Sequence, residues 1–259
     1  MSLVPVFSPV GATAYRLDNV AADSVTLDLS AGSSALSHAN SFTFRPDGTR
    51  LFAGDSFGGD GSVAYWDLST AWDVSTANYA GAIIFNGQVI DSVKFNANGT
   101  KAYIQIGLVL REYNLSTAYG GTATGVQSAS LENSGSVGSF EFDADGTQIH
   151  YANISAGQLR RRTLSTAYNI STMGAAEITS LSLVDDYFSQ GRNGTRLLYI
   201  QRAGTDTILE YNGSAYNYAG FSLYETFVTG PMLYAAYAGN GRKLHVLNGT
   251  TVTQYSTVG

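Results

Sequence analysis

The chain has 259 residues, of which 13% are charged and 44% hydrophobic, with 29 glycines, 4 prolines and no cysteine. Ordinary hydrophobicity excludes a disordered chain, and no apolar run approaches the roughly 18 residues of a membrane-spanning helix. A net charge of -6 argues against nucleic acid as the main partner, and the missing cysteine removes disulfides, thiolate metal sites and cysteine nucleophiles.

Residues 1–11 show no basic region followed by a long apolar stretch, so no signal peptide and no membrane insertion are expected. From residue 41 onward a turn recurs as Asp47-Gly48-Thr49, Asn98-Gly99-Thr100, Asp145-Gly146-Thr147, Asn193-Gly194-Thr195 and Asn240-Gly241-Arg242. Its glycines lie 51, 47, 48 and 47 residues apart. Asp-Gly or Asn-Gly between apolar runs signals a hairpin, because both residues tolerate positive φ. Phe44, Phe95, Phe142 and Tyr237 stand four residues before the glycine, and Phe52, Tyr103, His150, Leu198 and His245 four after it. Each turn therefore joins two strands whose large residues face a core.

A third strand follows (62–68, 109–115), then a loop reading Leu-Ser-Thr-Ala that ends at Trp72, Tyr119 and Tyr168, and degenerately at Tyr216. A fourth strand leaves it (80–85, 125–131, 219–225). Four short antiparallel strands per unit of about 48 residues predict an all-β fold, a single β-propeller domain over 1–259. Its units start near 41, 90, 137, 184 and 231. The last unit lacks a fourth strand. Residues 1–40 supply either a partial sixth blade, in which Phe7-Ser8-Pro9-Val10-Gly11 matches Phe44-Arg45-Pro46-Asp47-Gly48, or a ring-closing strand at 24–30 with Val25, Leu27 and Leu29 alternating. Six blades are favoured over five, because an apolar N-terminal segment left unpacked is costly.

Phe44-x-x-Asp47-Gly48-Thr49-x-x-Phe52, followed by Tyr65-Trp66-Asp67-Leu68-Ser69-Thr70-Ala71-Trp72, resembles a propeller repeat of bacteriophage virion and bacterial surface proteins. The resemblance covers residues 41 to about 218 and brings no catalytic motif with it; propellers host unrelated functions. It implies a non-enzymatic bacteriophage structural protein of the tail or capsid surface, located in the virion and mediating attachment or assembly. Its expected partners are other virion proteins and a host-surface glycan or receptor, with no cofactor and no metal. The alternatives are a carbohydrate-binding, lectin-like propeller and a propeller glycoside hydrolase.

Trp72, Tyr119, Tyr168 and Tyr216 are the candidate ligand-binding residues, since one loop position in four units should ring one face of the disc. They are either stacking platforms for a sugar, with Asp73, Asn169 and Asn217 as polar neighbours, or caps tucked under their own loops. The Ser-Thr-Ala run is expected to be a turn braced by its hydroxyls. Arg160, Arg161 and Arg162 either grip an anion or form a charged strand edge. Asp55 and Asp60 offer too few carboxylates for a cation loop. His150 and His245 take the core-facing position after the turn, so packed histidines are expected, and His38 stands apart from them. Glycoside hydrolysis needs paired carboxylates, and the first strands carry Asp91, Glu141, Asp143, Asp185 and Asp186.

Overall fold

The computed structural model describes residues 20–31, 36, 38–55, 61–85, 89–182, 187–191, 194–203, 205–213, 222–228, 232, 234–237 and 243–257. Strand β1 (Val20–Asp28) comes first. Blade 1 holds β2 (Ala39–Phe44), β3 (Arg50–Asp55), β4 (Ser62–Leu68) and β5 (Ala77–Ile84). Blade 2 holds β6 (Ser92–Phe95), β7 (Lys101–Ile106), β8 (Val109–Thr117) and β9 (Gly120–Ser130). Blade 3 holds β10 (Val137–Phe142), β11 (Gln148–Asn153), β12 (Gln158–Leu164) and β13 (Met173–Ser182). Blade 4 holds β14 (Tyr187–Gly191), β15 (Arg196–Ala203), β16 (Thr205–Asn212) and β17 (Ser222–Val228). Blade 5 holds β18 (Tyr234–Tyr237), β19 (Lys243–Asn248) and β20 (Thr251–Thr257), with β1 as its fourth strand.

The described residues therefore form five four-stranded sheets, not the favoured six. The inner strands β2, β6, β10, β14 and β18 meet in that order, and β18 returns to β2 to close the ring. The reason five suffices is that β1 pairs antiparallel with β20, Val20 opposite Thr257 and Asp28 opposite Thr251. It thus supplies the strand that the last unit lacks. Leu29 is buried, and Val25 and Leu27 pack against the blade 1 core, as their alternation demands. Phe7, Gly11 and Tyr15, the residues read as a sixth blade, lie outside the described residues.

The turns explain the repeat. Gly99 has φ +71°, and the backbone N–H of Tyr119 donates to its carbonyl at 2.8 Å. Tyr119 itself sits in the left-handed region at φ 56°, which aims its ring back over the glycine. Trp72 over Gly48 and Tyr168 over Gly146 repeat this arrangement. A 3-10 turn follows Trp72 and Tyr168, at Val74–Thr76 and Ile170–Thr172. Blade 2 has none, because Gly120-Gly121 replaces the capping residue and lets β9 start early.

Side chains also tie adjacent blades. Arg50 donates to the Tyr119 carbonyl (3.0 Å), Tyr103 to the Tyr168 carbonyl (2.5 Å), and His245 Nε2 lies 3.1 Å from the Trp72 carbonyl. Glu112 accepts the Ile170 N–H at 3.0 Å, and Gln254 accepts that of Val74 at 3.1 Å. In each case a residue of one blade satisfies an otherwise orphaned backbone group at the loop of the next.

Candidate active site in the channel mouth

The five residues that stand five positions before the turn glycines are Thr43, Lys94, Glu141, Ser189 and Ala236. Successive strand residues alternate faces, so these occupy one register around the axis, and all five line an axial cavity of about 160 Å³. A wider cavity of about 340 Å³ opens beside it at the turn end of blades 1 to 3. The two share Thr43, Phe44, Lys94 and Glu141.

In the lining the two cavities share, Lys94 Nζ donates to Glu141 Oε1 at 2.5 Å, and it also donates to the Tyr234 hydroxyl at 2.9 Å. Tyr234 in turn donates to Glu141 Oε1 at 3.2 Å, crossing the axis from blade 5. Burial works to strip the Lys94 proton, but the Glu141 charge and Tyr234 outweigh it, so its pKa stands above the ordinary lysine value. Burial pushes the Tyr234 phenol up as well, keeping it protonated. The cluster is thus a fixed ammonium and a neutral hydroxyl beside a carboxylate whose Oε2 takes neither bond.

The carboxylates expected of a hydrolase are not all brought together. Glu141 and Asp143 both line the wider cavity. Asp143 also braces its turn, accepting from the Gln148 N–H at 3.0 Å and the Thr147 hydroxyl at 3.2 Å. Burial, reinforced by the charge of Asp145, holds its pKa above the usual range. Asp91 lies at the opposite end of blade 2, where it accepts the Gly107 N–H at 2.6 Å, and burial raises its pKa too. Asp185 and Asp186 lie outside the described residues.

The expected aromatic ring is present in three blades. Tyr119 and Tyr168 line the wider cavity and Trp72 the axial one. Each also caps its own turn: Tyr119 is buried and donates to the Ala97 carbonyl at 2.6 Å. Tyr216 lies outside the described residues. Asp73 and Asn169 cap the 3-10 turns by accepting from Ser75 and Ser171 (3.1 Å to each N–H, 2.7 Å to each hydroxyl), and Asn217 is not described. The Thr76 hydroxyl accepts the Thr70 N–H at 3.1 Å and donates to the Asp73 carbonyl at 2.8 Å, bracing the Ser-Thr-Ala turn.

The arginine run is not a strand edge, since β12 lies between β11 and β13. Its guanidinium groups are engaged: Arg160 with Glu132, Arg161 with Glu177, and Arg162 with the Leu131 and Gly174 carbonyls. His150 and His245 are fully buried, as packed histidines should be. Asp60 and the Asp55 side chain are not described. Among the described residues no group of three or more His, Asp or Glu could hold a metal ion, and no helix is long and apolar enough to cross a membrane.

Lys94 and Tyr234 escaped the sequence reading, which looked for carboxylate pairs. The signal was present in the repeat itself: aligned on the turn glycines, the axis position reads Thr, Lys, Glu, Ser, Ala, and an isolated cation stands next to an isolated anion.

No protein-family model and no curated protein sequence matches the chain. Among solved structures it is similar to a proposed 6-phosphogluconolactonase of Bacteroides uniformis, at 12% identity over 79% of this chain and 76% of that one, with a TM-score of 0.52. A second proposed 6-phosphogluconolactonase, from Bacteroides fragilis, gives 10% identity, 79% and 75% coverage and a TM-score of 0.51. A luciferin-regenerating enzyme gives 8% identity over 91% of this chain and 96% of that one, with a TM-score of 0.53. At such identities the likeness establishes the propeller fold. It also overturns the expectation of a non-enzymatic bacteriophage structural protein: these solved propellers are named for enzymes, and none of the three is named for a virion.

Proposed function

We propose that the protein is a hydrolase that opens a small cyclic ester in the channel mouth. The observation that carries this reading is the Lys94–Glu141–Tyr234 cluster, whose Lys94 and Glu141 line both cavities. Ester hydrolysis needs a base for the attacking water and donors where the oxyanion develops. Glu141 Oε2 takes the water proton as the hydroxide oxygen bonds to the carbonyl carbon. The Lys94 ammonium has spent two of its three N–H bonds, and the third, with its fixed charge, stabilises the oxyanion. As the tetrahedral intermediate collapses, the ring C–O bond breaks and the departing alkoxide recovers the proton from Glu141. That two similar propellers are named as lactonases supports the choice of a lactone.

The test is turnover of a panel of γ- and δ-lactones followed by base consumption, with Glu141→Gln as the comparison. The wild type should open at least one lactone, and the variant should lose about 100-fold or more in kcat. No rate above the uncatalysed one across the panel, or full activity in the variant, refutes the reading.

A glycoside hydrolase is the second reading, and one observation favours it: Glu141 and Asp143, two residues apart, line the same cavity, and burial raises the Asp143 pKa. Glycoside hydrolysis needs two carboxyl groups flanking one bond. Asp143→Asn separates the two readings. It abolishes glycoside cleavage under the second and leaves lactone turnover within a few-fold under the first.

A further inference from the structure

Two buried polar atoms beneath the cluster have no hydrogen-bond partner, Ser92 Oγ and Gln105 Oε1. They belong to residues directly opposite one another in the β6–β7 ladder, so both side chains lie on one face of the sheet. That face looks toward blade 3, because Gln105 Nε2 donates to the Val137 carbonyl at 3.0 Å, and to that of Gly107 at 3.2 Å. These two carbonyl acceptors also determine which end of the amide is the oxygen. Ser92 stands two residues before Lys94, hence on the same side of β6 and about 7 Å further from the turn.

The equivalent serine of blade 3 is bonded where Ser92 is not, whereas that of blade 1, Ser41, likewise leaves its buried Oγ without a partner. Ser139 Oγ donates to the Phe188 carbonyl of the next inner strand at 2.8 Å and accepts the Phe188 N–H at 2.9 Å. Ser92 has no such bond. The Lys94–Glu141 pair joins the inner strands of blades 2 and 3 nearer the turn. Further from the turn, a hydroxyl and an amide oxygen of opposed residues are left without partners on the same face. Buried polar groups left so are costly unless water joins them, and a buried water needs two to four polar partners.

We infer that Ser92 Oγ and Gln105 Oε1 hold a buried water between blades 2 and 3, on the side of the Lys94–Glu141 pair away from the turn. Resting on the hydrolase reading, this site supplies the water that Glu141 activates, from the side of the pair away from the substrate mouth. Ser92 is then a positioning residue: it touches water, not substrate.

The experiment combines a high-resolution crystal structure of the wild type with melting and kinetics of Ser92→Ala, and Ser139→Ala as comparison. A water within hydrogen-bond distance of both atoms is expected, and Ser92→Ala should melt about 2–4 °C lower. A dry pair, or a Ser92→Ala variant as stable as the wild type or more so, overturns the site, because deleting a truly orphaned hydroxyl relieves a cost. On the fastest lactone of the panel, Ser92→Ala should lower kcat about 10-fold with KM unchanged, whereas Ser139→Ala lowers stability and leaves kcat alone. An unchanged kcat in Ser92→Ala overturns the supply role. Absence of lactone turnover in the wild type counts against the hydrolase reading, while the crystallographic and melting results still decide the water site.

Discussion

The aromatic lids give the fold a sharp test within one blade. Gly99 and Gly107 both belong to blade 2 and both have positive φ, +71° and +55°. A Cβ built on Gly99 would lie 2.2 to 2.5 Å from three atoms of the Tyr119 ring, whereas one on Gly107 would meet nothing within 4 Å. Alanine at Gly107 therefore costs only the left-handed backbone, about 1 kcal/mol. Alanine at Gly99 adds displacement of a buried ring packed against Phe52 and Phe95, which at about 1–3 kcal/mol brings the total to about 3 kcal/mol. For a chain of this size that predicts melting shifts of roughly 2–4 °C for Gly107→Ala and roughly 6–12 °C for Gly99→Ala. Urea unfolding of both variants, repeated in a Tyr119→Ala background, completes a double-mutant cycle. With the ring gone, Gly99→Ala should cost no more than Gly107→Ala. Equal costs for the two glycines in the native background would refute the lid reasoning.

Acid should weaken the fold before the ordinary carboxylates titrate. Burial pushes the His150 and His245 pKa values down to about 3 and about 4, below the unfolded 6.5, so only the unfolded chain takes up these protons as pH falls. Stability is then full above pH 6.5 and drops between 6.5 and about 4; a urea midpoint that stays flat from pH 7 to 5, or falls as steeply in a His150→Phe/His245→Phe variant, contradicts this. Glu112→Ala strands the Ile170 N–H, leaves Lys101 only the Tyr168 carbonyl, and should cost about 2–4 kcal/mol, with Glu112→Gln costing less; equal losses in chemical unfolding would show that the bond to the next blade contributes nothing. A truncation beginning at Ser30 removes β1 and bares the edge of β20, so aggregation is expected; a soluble monomer with unchanged melting temperature would mean that the fifth blade does not need its fourth strand.

What could be read from the sequence follows the range of the interactions. The turn at Asn98-Gly99 and the strand that follows it are specified within a dozen residues, and they stand in the structure as read. Blade number was misread because the pairing that decides it joins Val20 to Thr257, and a contact so distant leaves no local periodicity. The aromatics at Trp72, Tyr119 and Tyr168 were visible as a repeat, but a ring that both caps its turn and lines a cavity has one sequence signature for two roles. Lys94 was hidden for a related reason: a single charge in a short apolar strand looks like an interruption until the repeats are superposed. Tyr234 replaces the serine of blades 1 to 3 at its register position, and only the closed ring shows that its hydroxyl reaches Glu141 across the axis.

The strand that closes the ring also sets a timetable. Each blade forms from neighbouring hairpins, but β1 is synthesised first and β20 last. At roughly 5–20 residues per second, β1 waits on the order of 10–50 s on the ribosome before its partner exists. Throughout that interval it is an unpaired segment whose backbone groups and apolar Val25 and Leu27 await a partner. The thermodynamic penalty of the long loop is small, since closure entropy grows only logarithmically with length. The kinetic exposure is not, because β20 of any nearby chain offers the same hydrogen bonds as its own. Two nascent chains on one message can thus exchange β1 strands and emerge as a swapped dimer, each propeller closed by the other's first strand.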